Sequence, residues 1–311
     1  MEFKSTAASS GGAAYGIPSG KHLPAATRLG RVVLQIGDLS RSLSYYEKVL
    51  GLRVLRRAAG RAALGANDDD AVLVELHERS GAAPAPYQGR LGLYHFAILV
   101  PDRVTLESFT SHLSALGLRA GSADHLVSEA LYLRDPDGLG IEVYADRPRS
   151  VWRTREVSQG RELVIGTEPL DLDDLIRAAG GRGWTGMPPG TTLGHMHLHV
   201  GDLEAAAGFY HRALGLDAMV WSYPGALFLS AGGYHHHLGV NTWAGLHAQP
   251  PDAGDARLLE WTLVVPGVEA AEAAIRNLHA AGYGTRTEGP SGTAEDPWGT
   301  ALRIGPDEGP G

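Results

Sequence analysis

Fourteen histidines and no cysteine set the chemistry open to this 311-residue chain. Without thiols, disulfide frameworks, zinc ribbons and cysteine nucleophiles are excluded, so any metal must be held by imidazole and carboxylate. Eight of the 14 histidines lie between His195 and His247, among them the alternation His195, His197, His199 and the run His235, His236, His237. Histidine is the commonest metal ligand and exchanges protons near neutral pH, so this clustering points to a metal centre, an acid–base site or both. His197 and His199 alternate with Met196 and Leu198 and so share the strand face of His195. Facing alone does not separate cavity-lining residues from packing ones. His77, His112, His211 and His279 fall in helical or exposed contexts and need no functional reading.

Composition narrows the partners. The 27 basic and 35 acidic residues give a net charge of −8, which argues against a nucleic-acid partner. No apolar run approaches the roughly 20 residues of a membrane span. The first 20 residues are small and polar and lack the apolar core of a signal peptide. The expectation is a cytoplasmic protein with a flexible N-terminal arm over 1–27.

The elements that must position these histidines repeat along the chain. Residues 29–39 reappear as 193–203, an offset of 164 that continues through Tyr46 and Tyr210, Leu50 and Leu214, Gly51 and Gly215. A second pair runs at offset 165, from His95–Asp102 to Glu260–Gly267, and Asp135-Pro136 returns at offset 161 as Asp296-Pro297. Self-similarity at fixed spacing signals repeated structural units. Each opens with a strand (31–36, 95–100, 195–200, 260–265), continues in a helix such as 40–50 or 203–214, and finishes in short strands such as 130–133 and 140–144. The pattern predicts four βαβββ units over 28–90, 91–148, 191–248 and 257–306. A linker over 149–190 carries one short helix around 172–179.

Four such units, with a histidine opening one strand and a glutamate following Asp-Pro-x-Gly, resemble the vicinal oxygen chelate superfamily. Within it they are most similar to type I extradiol ring-cleaving dioxygenases of the catechol 2,3-dioxygenase kind. The most specific element is His125-x5-Leu131-Tyr132-x2-Asp135-Pro136-x-Gly138-x3-Glu142. Ala123 departs from the residues usual at its turn-adjacent position. The resemblance implies an α+β fold in which the units form paired, U-shaped, partly barrel-like mixed sheets with helices outside. It also implies a non-haem Fe(II), with Mn(II) accepted by the same ligands, a catechol and dioxygen as substrates, a muconic semialdehyde product, and a homo-oligomer.

In that family, ligands come from the first and last strands of a unit. The first-strand position reads Arg31, His95, His195 and Glu260, and the last-strand position reads Glu142 in unit two and Arg303 in unit four. Two histidines and one carboxylate leave open positions at a ferrous ion for substrate and dioxygen. The resemblance therefore implies His95, His195 and Glu142 as ligands. Units two and three would share the metal cleft, and units one and four would form a structural pair. This departs from the commoner sharing between consecutive units. A buried salt bridge is the bland alternative for Glu142, and a backbone-bonded core histidine for His95. By the same likeness His236 is the acid–base residue and Tyr132 and His125 line the pocket catalytically. His235, with His197 and His199 on the cleft face, contacts substrate. A glyoxalase-type lyase or isomerase and a non-enzymatic drug-binding protein are the alternatives the superfamily offers.

Overall fold

The structure is a computed structural model that describes residues 15–178 and 183–307. Unit one comprises β1 (Arg28–Ile36), α1 (Leu39–Lys48), β2 (Arg53–Ala58), β3 (Arg61–Gly65) and β4 (Val74–Glu78). Unit two comprises β5 (Gly92–Leu99), α2 (Arg103–Ala115), β6 (Gly121–Asp124), β7 (Ser128–Arg134) and β8 (Gly140–Asp146). The connector carries β9 (Thr154–Val157), β10 (Gly160–Leu163) and α3 (Leu172–Ala178). Unit three comprises β11 (Thr192–His199), α4 (Leu203–Ala206), β12 (Asp217–Val220), β13 (Ala226–Ser230) and β14 (Leu238–Asn241). Unit four comprises β15 (Arg257–Val265), α5 (Val268–Ala280), β16 (Thr285–Glu288), β17 (Ser291–Glu295) and β18 (Ala301–Pro306).

The strands form two eight-stranded sheets, ordered β16-β17-β18-β15-β1-β4-β3-β2 and β12-β13-β14-β11-β5-β8-β7-β6. Units one and four thus share one sheet, and units two and three share the other. In each, the two first strands meet antiparallel at the centre, β1 on β15 and β5 on β11. These central strands are buried on both faces over much of their length, Val32, Leu34, Phe96, Ile98 and Met196 on one and Val33, Ala97 and His195 on the other. Asp38, Asp102 and Asp202 start three of the helices, each side chain accepting the N–H three residues on. Among the described residues no helix is long and apolar enough to cross a membrane.

Consecutive units are tied across the two sheets. The buried Tyr46 on α1 donates its hydroxyl to Asp135 of unit two at 3.2 Å, and Tyr210 of unit three donates to Asp296 of unit four at 2.9 Å. The same aspartates close the Asp-Pro turns by accepting backbone N–H groups, Asp137 and Leu139 on one and Trp298 and Thr300 on the other. One residue per unit pair therefore caps a turn and docks a helix.

Three expectations need correction. The helix expected over 203–214 is α-helical only to Ala206 and continues as π-helix over Ala207–Ala213. The linker expected to hold a single helix also contains the β9–β10 hairpin, whose Glu162 is buried and paired with Arg155 at 2.6 Å. The N-terminal arm is not free over its described part. Ile17 pairs with Ala218 and is buried, as is Leu23, and both join the main apolar cluster. Residues 1–14 lie outside the described residues.

The Asp135 link gives a pH-dependent contribution. Burial, reinforced by the Asp137 carboxylate, pushes Asp135 up to about 6 against the N–H bonds from Leu139 and Asp137. A carboxyl raised in the folded state contributes stability that is whole below the unfolded value and lost as pH rises through the folded one. Asp135→Asn cannot ionise and keeps an acceptor for the turn. Urea unfolding at pH 4 to 7 should shift the stability difference toward the variant by roughly 2–3 kcal/mol as pH rises; a difference flat over that range would refute the assignment.

Candidate metal centre

The pairing of the two central strands builds the site. His197 on β11 stands opposite His95 on β5, and His195 stands opposite Ala97. Two bulges bracket this register: Gly194 on β11 and Tyr94 on β5 have no partner. A bulge places two residues where one is expected and turns the extra side chain. Tyr94 is thereby brought to its neighbour's face, its ring 4.9 Å from His95, 5.1 Å from His197 and 4.7 Å from His199. Gly140 makes room for it, since a Cβ there would lie 1.9 Å from the Tyr94 carbonyl oxygen.

The first and last strands of every unit pair in one common register, in which the residue two after the first-strand position faces the last-strand position. The pairs are Val33 with Glu75, Ala97 with Glu142, His197 with Gly239, and Thr262 with Arg303. The unit one–four sheet therefore holds Arg31, Glu75, Glu260 and Arg303 at equivalent places, two positive and two negative. They form an ion-pair network, with Arg31 3.2 Å from Glu75 and 3.4 Å from Glu260, and Arg303 3.1 Å from Glu260. The unit two–three sheet holds His95, Glu142, His195 and Gly239, and its only ionised member is one carboxylate.

That carboxylate is 2% exposed. Its Oε2 lies 3.0 Å from His95 Nε2 and 3.2 Å from His195 Nε2, and one ligand atom from each of the three residues lies within 4.8 Å of the others. Glu142 Oε1 is buried without a hydrogen-bond partner among the described residues, as are His195 Nδ1 and His197 Nε2. Burial lowers both ligand-position imidazoles, which favours the neutral form that can coordinate. Burial pushes the Glu142 carboxyl up, but the two imidazoles outweigh it and hold it well below the usual carboxylate range. A lone buried carboxylate costs several kcal/mol unless a cation answers it. Donors about 3 Å apart match adjacent ligands of a cation with bonds of roughly 2.1 Å. The residues present fit a divalent metal.

A cavity of about 170 Å³ opens on this group and is lined by His125, Tyr132, His197 and His236 as well as the triad, with Tyr94, Tyr223, Phe228 and Trp243 as aromatic walls. His125 is oriented by the connector. Its Nδ1 donates to the Gly166 carbonyl at 2.7 Å, so in the neutral ring Nε2 accepts from the Tyr132 hydroxyl at 2.5 Å. Burial, aided by the Glu142 charge, holds the Tyr132 phenol well above its ordinary value, so it stays protonated.

Two expected substrate contacts lie elsewhere. His235 does not line the cavity; it is fully buried behind His236, because its Nε2 donates to Asp146 Oδ1 at 2.9 Å. His199 is turned away toward Asn241, 2.7 Å from its Oδ1, and lines neighbouring space. His235 Nδ1 lies 2.7 Å from His236 Nδ1. With Asp146 accepting from one side of a neutral His235, the other side must accept from His236, and His236 Nε2 keeps a lone pair. Burial and the surrounding imidazoles hold His236 well below its usual value, so it rests as a base.

Asp146, Tyr94, Trp243 and the Gly166 segment were not anticipated from sequence. Asp146 had a signal, standing four residues after Glu142 on one strand and so on the same face. Tyr94 had a contrary one, since alternation places it opposite His95. His237, also unassigned, is a structural residue whose Nδ1 meets Ser230 Oγ at 2.9 Å.

A family profile described as Glyoxalase/Bleomycin resistance protein/Dioxygenase superfamily matches residues 28–143 and 192–304. The chain is 44% identical over 274 residues to catechol-2,3-dioxygenase of Bacillus subtilis (strain 168), covering 87% of this chain and 94% of that one. It is 26% identical over 157 residues to biphenyl-2,3-diol 1,2-dioxygenase 3 of Rhodococcus globerulus, covering 49% of this chain and 83% of the relative. Among solved structures, glyoxalase I from Zea mays superposes with a TM-score of 0.52 at 20% identity, covering 90% of this chain and 92% of that one, a likeness of fold. Both halves match the profile and the B. subtilis relative is matched almost end to end, so the chain belongs to the glyoxalase/bleomycin resistance protein/dioxygenase superfamily.

Proposed function

We propose that the protein is an extradiol dioxygenase that cleaves a catechol beside its two hydroxyls, with Fe(II) or Mn(II) held by His95, Glu142 and His195. The observation that carries this reading is the His-Glu-His group opening on a cavity where a neutral histidine presents a lone pair. The high similarity to a catechol-2,3-dioxygenase supports it. When bound, Fe(II) supplies Lewis acidity toward vicinal hydroxyls and one-electron chemistry with dioxygen.

The side chains supply position and protons. The carboxylate and a dication leave the centre with one positive charge, which suits a singly deprotonated catechol. His236 Nε2 takes the proton a catechol hydroxyl gives up and can return it to an oxygen that becomes anionic as the ring opens. His235 and Asp146 stabilise the imidazolium during that interval. The Tyr132 hydroxyl, its proton directed to His125 Nε2, offers oxygen lone pairs to the second catechol hydroxyl and fixes the ring's orientation. The aromatic walls keep water from the reacting oxygens. Insertion of both atoms of dioxygen with ring opening gives a muconic semialdehyde.

The tautomers are testable without turnover. Long-range ¹H–¹⁵N spectra of metal-free protein at pH 7.5 should show His125 and His236 protonated at Nδ1 and His235 at Nε2; a His236 carrying its proton on Nε2 would remove its role as base.

Turnover is the direct test. Protein reconstituted anaerobically with Fe(II) should consume oxygen with catechol and form a yellow ring-fission product. His236→Ala should retain metal and lose roughly 10²–10⁴-fold in kcat. Glu142→Ala should lose more metal affinity than the roughly 10–100-fold typical of second-layer partners. Oxygen uptake by metal-free Glu142→Ala would sink the assignment, and tight metal binding without oxygen uptake would favour a lyase.

A further inference from the structure

A larger space of about 670 Å³ adjoins the triad cavity and shares Tyr94, His95, Tyr132 and Trp243 with its lining. Its described lining includes Arg119, Arg134 and His199 and no carboxylate, in a chain whose net charge is −8. Arg134 follows Tyr132 by two residues on β7 and so shares its face, roughly 7 Å further along the strand. Two contacts hold its guanidinium. Nη1 donates to the Gly138 carbonyl at 2.6 Å, and the central carbon lies 3.9 Å from the centre of the Tyr87 ring. Arg31 and Arg303 of the other sheet, by contrast, are engaged by glutamates. No ion-pair partner of Arg134 or Arg119 is found among the described residues. A guanidinium fixed by a turn carbonyl and a ring, with its remaining N–H groups uncommitted, is prepared for a planar anion.

We propose that this annex is a carboxylate subsite, so that the substrate is a catechol bearing an acidic side arm, with Arg134 as its main anchor and the exposed Arg119 as an outer cation. The inference rests on the catechol-cleavage reading and supplies its specificity. The strand spacing from Tyr132 to Arg134 suits a carboxylate one or two carbons from the ring.

The experiment compares kcat/KM of Fe(II)-reconstituted protein for 3,4-dihydroxyphenylacetate and 3-(3,4-dihydroxyphenyl)propanoate with the values for their neutral amides. The expected preference for acid over amide is about tenfold, the scale of one partly solvated charge-assisted hydrogen bond. It should fall to about onefold in Arg134→Gln, persist in part in Arg134→Lys, and reverse toward an ammonium-bearing catechol in Arg134→Glu. Equal kcat/KM for acid and amide in the unmodified protein, with catechols still cleaved, overturns the subsite and leaves the cleavage reading intact. Failure to cleave any catechol overturns the cleavage reading instead. The subsite then stands or falls on a titration of metal-free protein with 3,4-dihydroxyphenylacetate, followed by tryptophan fluorescence. Binding about tenfold weaker in Arg134→Gln supports it, and unchanged affinity refutes it.

Discussion

A carboxylate sealed between two imidazoles that burial keeps neutral is a charge the fold must answer. In the unit one–four sheet the same register positions answer their two glutamates with two arginines, and the network closes on itself. In the unit two–three sheet the balancing positions are histidine and glycine, and among the described residues no arginine or lysine pairs with Glu142. A dication would do so, and in the proposed reaction its second charge would be left for an anionic substrate. Much of the surrounding architecture serves this one imbalance. The bulges at Gly194 and Tyr94 set which residues of β5 and β11 face inward, and Gly239 leaves the His197 ring its space, since a Cβ there would lie 3.0 Å from it.

The histidines around the triad are fixed by hydrogen bonds whose direction is forced. A carbonyl can only accept, so Gly166 sets the tautomer of His125. A carboxylate accepts likewise, so Asp146 sets that of His235 and, through it, His236. Both anchors come from outside the strands that carry the triad histidines, one from the connector and one from the end of β8. The site is thus oriented from two sides, as the proposed return of a proton along one path would require.

Much of this was legible in the sequence because it repeats. Four copies of one unit can be aligned by eye, and the alignment sets Arg31, His95, His195 and Glu260 in one column. Charge then distinguishes the column's members without coordinates. Single departures from regularity were hidden. The Tyr94 bulge breaks strand alternation, and nothing local announces it. The β9–β10 hairpin and the packing of 15–27 occur once each, so no second copy reinforces them. His235 was read as a pocket residue because adjacency to His236 says nothing of which ring faces the cavity; Asp146, 89 residues away, decides it.

The Tyr46–Asp135 and Tyr210–Asp296 links join units one with two and three with four, whereas the sheets join one with four and two with three. Each half of the chain therefore holds one of the two triad histidines, and each would end in a central strand stripped of its partner. Such a molecule behaves as two subunits fused through residues 149–190. Its triad exists only where a first strand from one half meets a first strand from the other, so the centre is a product of the junction between halves and belongs to neither alone.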